Sequence, residues 1–235
     1  MDKVRTIVPD CNYQNPPEPI EVLYGLTHAV ARFVLRAIFN MKVEGASQVP
    51  RDGPLIIAPT HRSYVDPVFV GAAVPRSAYY MTKAEVFDVP ILRTIVCAHH
   101  GFPVRRETGD RRAWRIAVGL LRRGRALVIF PEGTRNPDWQ LREPKLGVAL
   151  LALRTGAPVL PVAIVGTERV MPPGQPWLRP APVRVRIGDL MSFNPILHGP
   201  IPRDMLIEIA NGIMRTLSML SGRPYRALQM DTLGK

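Results

Sequence analysis

Cysteine is almost absent, with only Cys11 and Cys97 in 235 residues. Two cysteines so far apart in sequence exclude a disulfide framework and a cysteine-rich zinc site, and they point to a reducing compartment. Acidic residues are scarce beside basic ones, 19 against 31, which leaves a net charge of +12. That sign favours anionic partners: nucleic acid, an anionic membrane surface or phosphorylated substrates. There is no Walker loop, zinc spacing or ribonucleoprotein signature, so a basic nucleic-acid-binding protein is only a distant alternative. No uninterrupted apolar run of about 18 residues exists, so a conventional transmembrane helix is not expected. No G-x-S-x-G surrounds any serine, which argues against a serine acyl-enzyme. Residues 1–20 carry Asp2, Asp10, Glu18 and several prolines, unlike a secretory signal. What is present is ordinary globular material, 46% apolar and 21% charged, in a chain long enough for one domain.

Pro9, Pro16, Pro17 and Pro19 make residues 1–19 an irregular arm. From 20 to 41 the pattern is helical and two-faced. Val22, Leu23, Leu26, Val30, Phe33, Val34, Ala37 and Met41 fall on one side, and Gly25, His28, Arg32 and Arg36 on the other. Such a helix either packs on the core or lies in a membrane interface with its arginines towards lipid phosphates. Residues 42–235 then alternate short apolar runs with helical periods. Strands are predicted at 54–59, 78–81, 102–104, 125–130, 158–165 and 183–187. Helices are predicted at 67–73, 90–97, 110–123 with Asp110 as N-cap, 144–155 ending at Gly156, and 203–220 ending at Gly222. This alternation implies an α/β fold: a mostly parallel central sheet flanked by helices.

Two loops at strand ends carry candidate chemistry. His61-Arg62-Ser63-Tyr64-Val65-Asp66 follows the strand 54–59, at the edge where open α/β sheets place their sites. Five residues put His61 and Asp66 roughly 140° apart on a helix, so only a loop that curls back can pair them. Asp66 precedes Pro67 and is expected to cap the next helix with one oxygen while the other receives the His61 proton. The second ring nitrogen would then be a general base. Phe130-Pro131-Glu132-Gly133-Thr134-Arg135 ends another strand at the same edge. It offers a carboxylate, a hydroxyl and a guanidinium, and the last can hold a phosphate through two parallel hydrogen bonds. A third segment, 101–106, opens a run of eight arginines against two acids over residues 105–125. Most of that run reads as a solvated helix face, with Arg105 and Arg106 as site candidates. His99 and His100 have no other candidate ligands nearby, and no metal is expected.

These motifs resemble those of the glycerolipid acyltransferases of the 1-acylglycerol-3-phosphate type. The H-x4-D block is matched by His61 and Asp66, the G-x-x-x-x-R block by Gly101 and Arg106, and F-P-E-G-T-R by residues 130–135 without change. Leu160-Pro161-Val162 and the K-x-G of Lys145 and Gly147 follow in order, so the resemblance covers about residues 40–190. Thr60 stands where relatives often have Asn or Ser before the histidine. The resemblance implies a glycerol-3-phosphate acyltransferase-like fold and transfer of a fatty acyl group from acyl-CoA or acyl carrier protein, as co-substrate, to 1-acyl-sn-glycerol 3-phosphate (lysophosphatidic acid). The product would be phosphatidic acid, made peripherally at the cytoplasmic face of a membrane. His61 would be the base and Asp66 its orienting partner. Arg106 and Arg135, with Lys145, would bind the acceptor phosphate. Glu132, Gly133 and Thr134 would shape the acceptor pocket. The alternative within the same fold is a different lysophospholipid or a glycolipid acceptor. No cofactor is implied.

Overall fold

In the computed structural model the described residues are 21–89, 93, 96–97, 100–105, 110–136, 138–172, 174–175 and 177–229. In chain order they form α1 (Glu21–Phe39), β1 (Lys42–Glu44), β2 (Leu55–Pro59), α2 (Asp66–Ala73), β3 (Ala78–Lys83), β4 (Gly101–Val104), α3 (Arg111–Arg122), β5 (Ala126–Val128), α4 (Gly147–Thr155), β6 (Val159–Val165), α5 (Thr167–Val170), β7 (Arg184–Ile187) and α6 (Arg203–Ser221). The sheet order is β1-β7-β6-β2-β5-β3-β4. From β6 to β4 every pairing is parallel. β7 runs antiparallel to β6, and β1 is parallel to β7. The carboxyl ends of β6, β2, β5, β3 and β4 therefore share one edge, as expected for a doubly covered sheet.

Both faces are dry. Leu55 and Ile57 of β2 pack with Leu35, Phe39, Phe69 and Val70 beneath α1 and α2. Ile56 and Ala58 pack with Ala117, Leu120, Leu151 and Leu217 beneath α3, α4 and α6. A strand buried on both sides reads as an unbroken apolar run, which is why residues 54–59 were legible. Helix ends follow local chemistry. Asp110 accepts the Arg112 and Ala113 amides at 3.0 Å each, capping α3. Gly156, at φ 70°, closes α4.

Four features depart from the reading of the sequence. β1 is not predicted, because three residues of mixed polarity carry no periodicity. α5 is likewise too short to show a helical period. The buried stripe of α1 is Leu35 and Phe39, with His28 and Arg32 half-buried on the same side. Phe33 (73% exposed), Val30, Val34 and Ile38 face outward. Phe39 meets Phe69 of α2 edge-on at 5.6 Å, and that contact chooses the inner face. Cys97 is disulfide-bonded, which the scarcity of cysteine did not foretell. The arm 1–19, most of the predicted helix 90–97, and Arg106 lie outside the described residues.

Candidate active site

β2 delivers residues 60–66 to the carboxyl edge between β5 and β6. There the chain curls so that His61 Nδ1 lies 2.9 Å from Asp66 Oδ2. The same oxygen accepts the Arg62 and Ser63 amides at 2.6 and 2.7 Å, and Oδ1 accepts the Thr167 hydroxyl at 2.5 Å. Asp66 is wholly buried, and each group bonded to it can donate. Asp66 thus accepts and Nδ1 donates, which in the neutral imidazole leaves the lone pair on Nε2. Nε2 has no partner among the described residues, and the His61 side chain is 11% exposed. The expected helix cap is not made. Asp66 is itself the first residue of α2, and its side chain turns back to the loop amides instead of forward into the helix. Thr60 faces away from the site, its hydroxyl accepting the Ile164 amide at 2.9 Å and so tying β2 to β6.

The loop after β5 closes over His61. Phe130 stacks on the imidazole, ring centroids 4.0 Å apart and planes 27° from parallel. Glu132 turns inward and is 2% exposed. Its Oε1 accepts the His61 backbone amide at 3.1 Å, and its Oε2 accepts Asn136 Nδ2 at 2.9 Å and the Arg142 amide at 3.1 Å. The Asn136 amide in turn donates to the His61 carbonyl at 2.8 Å. Both backbone groups of His61 are thus held by this one loop, and its ring is held by Asp66 and Phe130. A base fixed on all sides with one free ring nitrogen can take a proton from a hydroxyl without reorganising.

The acyltransferase family model matches residues 40–165, a span that contains all of this arrangement except Thr167. The chain belongs to the acyltransferase family. A chloroplastic 1-acyl-sn-glycerol-3-phosphate acyltransferase of Brassica napus is 27% identical over 78% of the chain and 52% of its own length. The 1-acyl-sn-glycerol-3-phosphate acyltransferase of Bacillus subtilis is 27% identical over 76% of the chain and 87% of its own. The crystal structure of the 1-acyl-sn-glycerophosphate acyltransferase PlsC from Thermotoga maritima superposes with a TM-score of 0.68. It has 26% identity and covers 84% of this chain and 79% of that one. The chain therefore spans about half the length of the Brassica relative and most of the two bacterial ones.

The remaining predicted residues of this acyltransferase, Arg106 aside, fall around the same edge. Arg135 lies over the exposed Tyr64 ring, its guanidinium carbon 3.3 Å from the centroid. The guanidinium N–H groups make no hydrogen bond among the described residues. Gly133, at φ 70°, lets the loop turn under Lys145, where an added Cβ would stand 2.9 Å from Lys145 Cγ. The Lys145 amide donates to Pro131 at 2.8 Å, and its side chain is exposed, like Thr134. Arg105 is exposed, with its amide on Asp110 Oδ2 at 3.1 Å.

The sequence assigns no role to Phe130, Asn136 or Thr167, nor to Arg223, whose Nη1 stands 3.9 Å from Glu132 Oε1. The first two adjoin or open the recognised motif and could have been included. Thr167 follows the end of β6 at the same edge as His61, so a polar residue there had a positional signal. Arg223, in the tail after α6, had none.

Proposed function

We propose that this acyltransferase moves an acyl group from a thioester to the free hydroxyl of 1-acyl-sn-glycerol 3-phosphate, forming phosphatidic acid. The observation that carries the reading is the pairing of a free His61 Nε2, backed by buried Asp66, with the uncommitted guanidinium edge of Arg135 on the neighbouring loop. Nε2 removes the hydroxyl proton as the oxygen attacks the thioester carbonyl. The imidazolium, held against Asp66, returns that proton to the departing thiolate. The phosphate rests on Arg135, with Lys145 beside it, since a planar guanidinium meets two phosphate oxygens at once. Acyl-CoA or acyl carrier protein supplies the thioester. The printed activities of the Brassica, Bacillus and Thermotoga relatives support the acceptor.

No helix among the described residues is long and apolar enough to cross a membrane. The outward stripe of α1 offers a different route to a lipid substrate, by lying in the interface. Phe33→Glu with Val34→Glu should release the protein from anionic vesicles and leave its melting unchanged, because both side chains already face outward. Unfolding of that variant would instead assign the stripe to packing.

The decisive assay is thiol release from acyl-CoA and from acyl carrier protein with lysophosphatidate, glycerol 3-phosphate and neutral lysophospholipids in turn. Turnover restricted to lysophosphatidate supports the reading. Preference for an acceptor without a phosphomonoester would overturn it. Arg135→Lys keeps the charge and loses the fork, so the apparent KM for lysophosphatidate should rise about tenfold to a hundredfold.

A further inference from the structure

Arg223 sits in the tail beyond α6, outside the residues matched by the family model, yet it is only 2% exposed. Its Nε donates to the Trp139 carbonyl at 2.8 Å, and its Nη2 donates to Asp138 and Gln140 at 2.7 and 3.2 Å. Those carbonyls belong to the segment that follows the 130–136 loop. The Leu141 amide donates to Pro224 at 2.9 Å, fastening the same segment to the tail. Nη1 is different. It is buried, makes no hydrogen bond, and stands 3.9 Å from Glu132 Oε1, the oxygen that receives the His61 amide.

A staple for the tail does not require this. The Leu141–Pro224 bond is already present, and a neutral donor could reach the carbonyls. Burying an unsatisfied guanidinium nitrogen is unfavourable. The opposing factor is the buried Glu132 carboxylate, which receives three N–H donors and has no other ion pair among the described residues. Burial lowers the Arg223 pKa from the ordinary arginine value, while Glu132 opposes that shift.

We propose that Arg223 is a positioning residue for His61: its guanidinium holds the Glu132 carboxylate beneath the His61 amide and so fixes the base. The inference rests on the acyl-transfer reading above. Two variants of the full chain separate it from a purely structural role. Arg223→Lys keeps a cation opposite Glu132 and loses the fork onto residues 138–140, so its melting temperature should fall while kcat stays within a few-fold of wild type. Arg223→Met with Glu132→Gln removes both charges. Its fold should persist with a lowered melting temperature, because no buried charge is left unpaired although the carbonyls of 138–140 lose their donor. Its kcat should drop at least tenfold with the acceptor KM little changed, because the His61 amide has lost its ionised acceptor. Hydrogen exchange across residues 60–66 should quicken in the double variant and not in the lysine one.

Activities are read well below the lowest melting point, with lysophosphatidate turnover by the wild type as the control. Absence of that turnover would refute the acyl-transfer reading, and the exchange measurement would still judge Arg223. A double variant with wild-type kcat, or a lysine variant as impaired as the double, would overturn the proposal.

Discussion

Two buried carboxylates flank His61, and they are wired in opposite ways. Asp66 grips the imidazole, and most of its partners come from the five residues before it. Glu132 grips the His61 backbone, and its partners are gathered from residues 61, 136, 142 and 223. Among the described residues Asp66 has no lysine or arginine at hydrogen-bond distance. Glu132 has Arg223. One carboxylate is arranged to stabilise a charge that appears during reaction, and the other to hold a loop whose charge is already compensated. The same side-chain chemistry at the same sheet edge thus does different work, according to which part of His61 it meets.

The sharpest way to break that contrast is to neutralise each in turn. Asp66→Asn should keep the fold. Three donors converge on Oδ2, so the amide oxygen takes that place, and the amide nitrogen can face a Thr167 hydroxyl turned to accept. Activity should nevertheless fall by about 10²–10⁴, the usual contribution of a general base, because the imidazolium loses its counter-charge. A folded Asp66→Asn enzyme with near-normal turnover would end the distinction.

Glu132→Gln should fail differently. Both of its oxygens receive N–H donors, so an amide nitrogen must confront one of them, and the buried Arg223 loses its nearest counter-charge. Removing one partner of a buried pair typically costs about 3–5 kcal/mol. In a chain of this size that lowers the melting temperature by on the order of 10 °C. Differential scanning calorimetry reads this directly, and an unchanged melting temperature would contradict the assigned pairing.

Thr167→Val sharpens the comparison on the Asp66 side alone. It removes the one distant donor to Oδ1, a hydrogen bond to a charged group worth about 1.5–3 kcal/mol. We expect kcat to fall roughly tenfold, with melting affected less than in Glu132→Gln. The smallest effect belongs to a third carboxylate, Asp110, which caps α3 at the surface. Hydrogen bonding from the Ala113 amide, above all, holds its carboxyl below the ordinary value. A depressed carboxyl stabilises the fold at pH above its unfolded value, and the contribution is lost as the pH falls through the folded one. Asp110→Ala should therefore cost about 0.5–2 kcal/mol at neutral pH. Its melting curve should converge with that of the wild type as the medium becomes more acidic than the carboxylate range, with catalysis unaffected throughout.

The legibility of the site follows the same division. His61 and Asp66 could be paired from sequence because they share a loop between a strand and a helix, where five residues leave few other conformations. What was misjudged there was direction: the Asp66 side chain turns back to the amides of 62 and 63 and leaves the helix end uncapped. Glu132 is recognised as part of a motif, yet its inward orientation is invisible, because the groups that turn it inward lie up to 91 residues away in the chain. Arg223 shows the limit most plainly. Nothing near Gly222 distinguishes it from a surface arginine.

The sequence by itself determined the layered α/β architecture, the edge of the sheet at which chemistry gathers, the helix stops at Gly156 and Gly222, and the membership of His61, Asp66 and the 130–135 loop in one site. These depend on periodicity, backbone preference and strand-end position, all of which act between near neighbours. Only the tertiary structure decided that β7 reverses direction, that α1 buries Leu35 and Phe39 while exposing Phe33, and that Thr167 and Arg223 complete the shells of the two carboxylates. Those outcomes depend on which surfaces meet across the core and on which buried charges must find partners, and a buried carboxylate is satisfied by whichever donors the fold brings to it, wherever they stand in the chain.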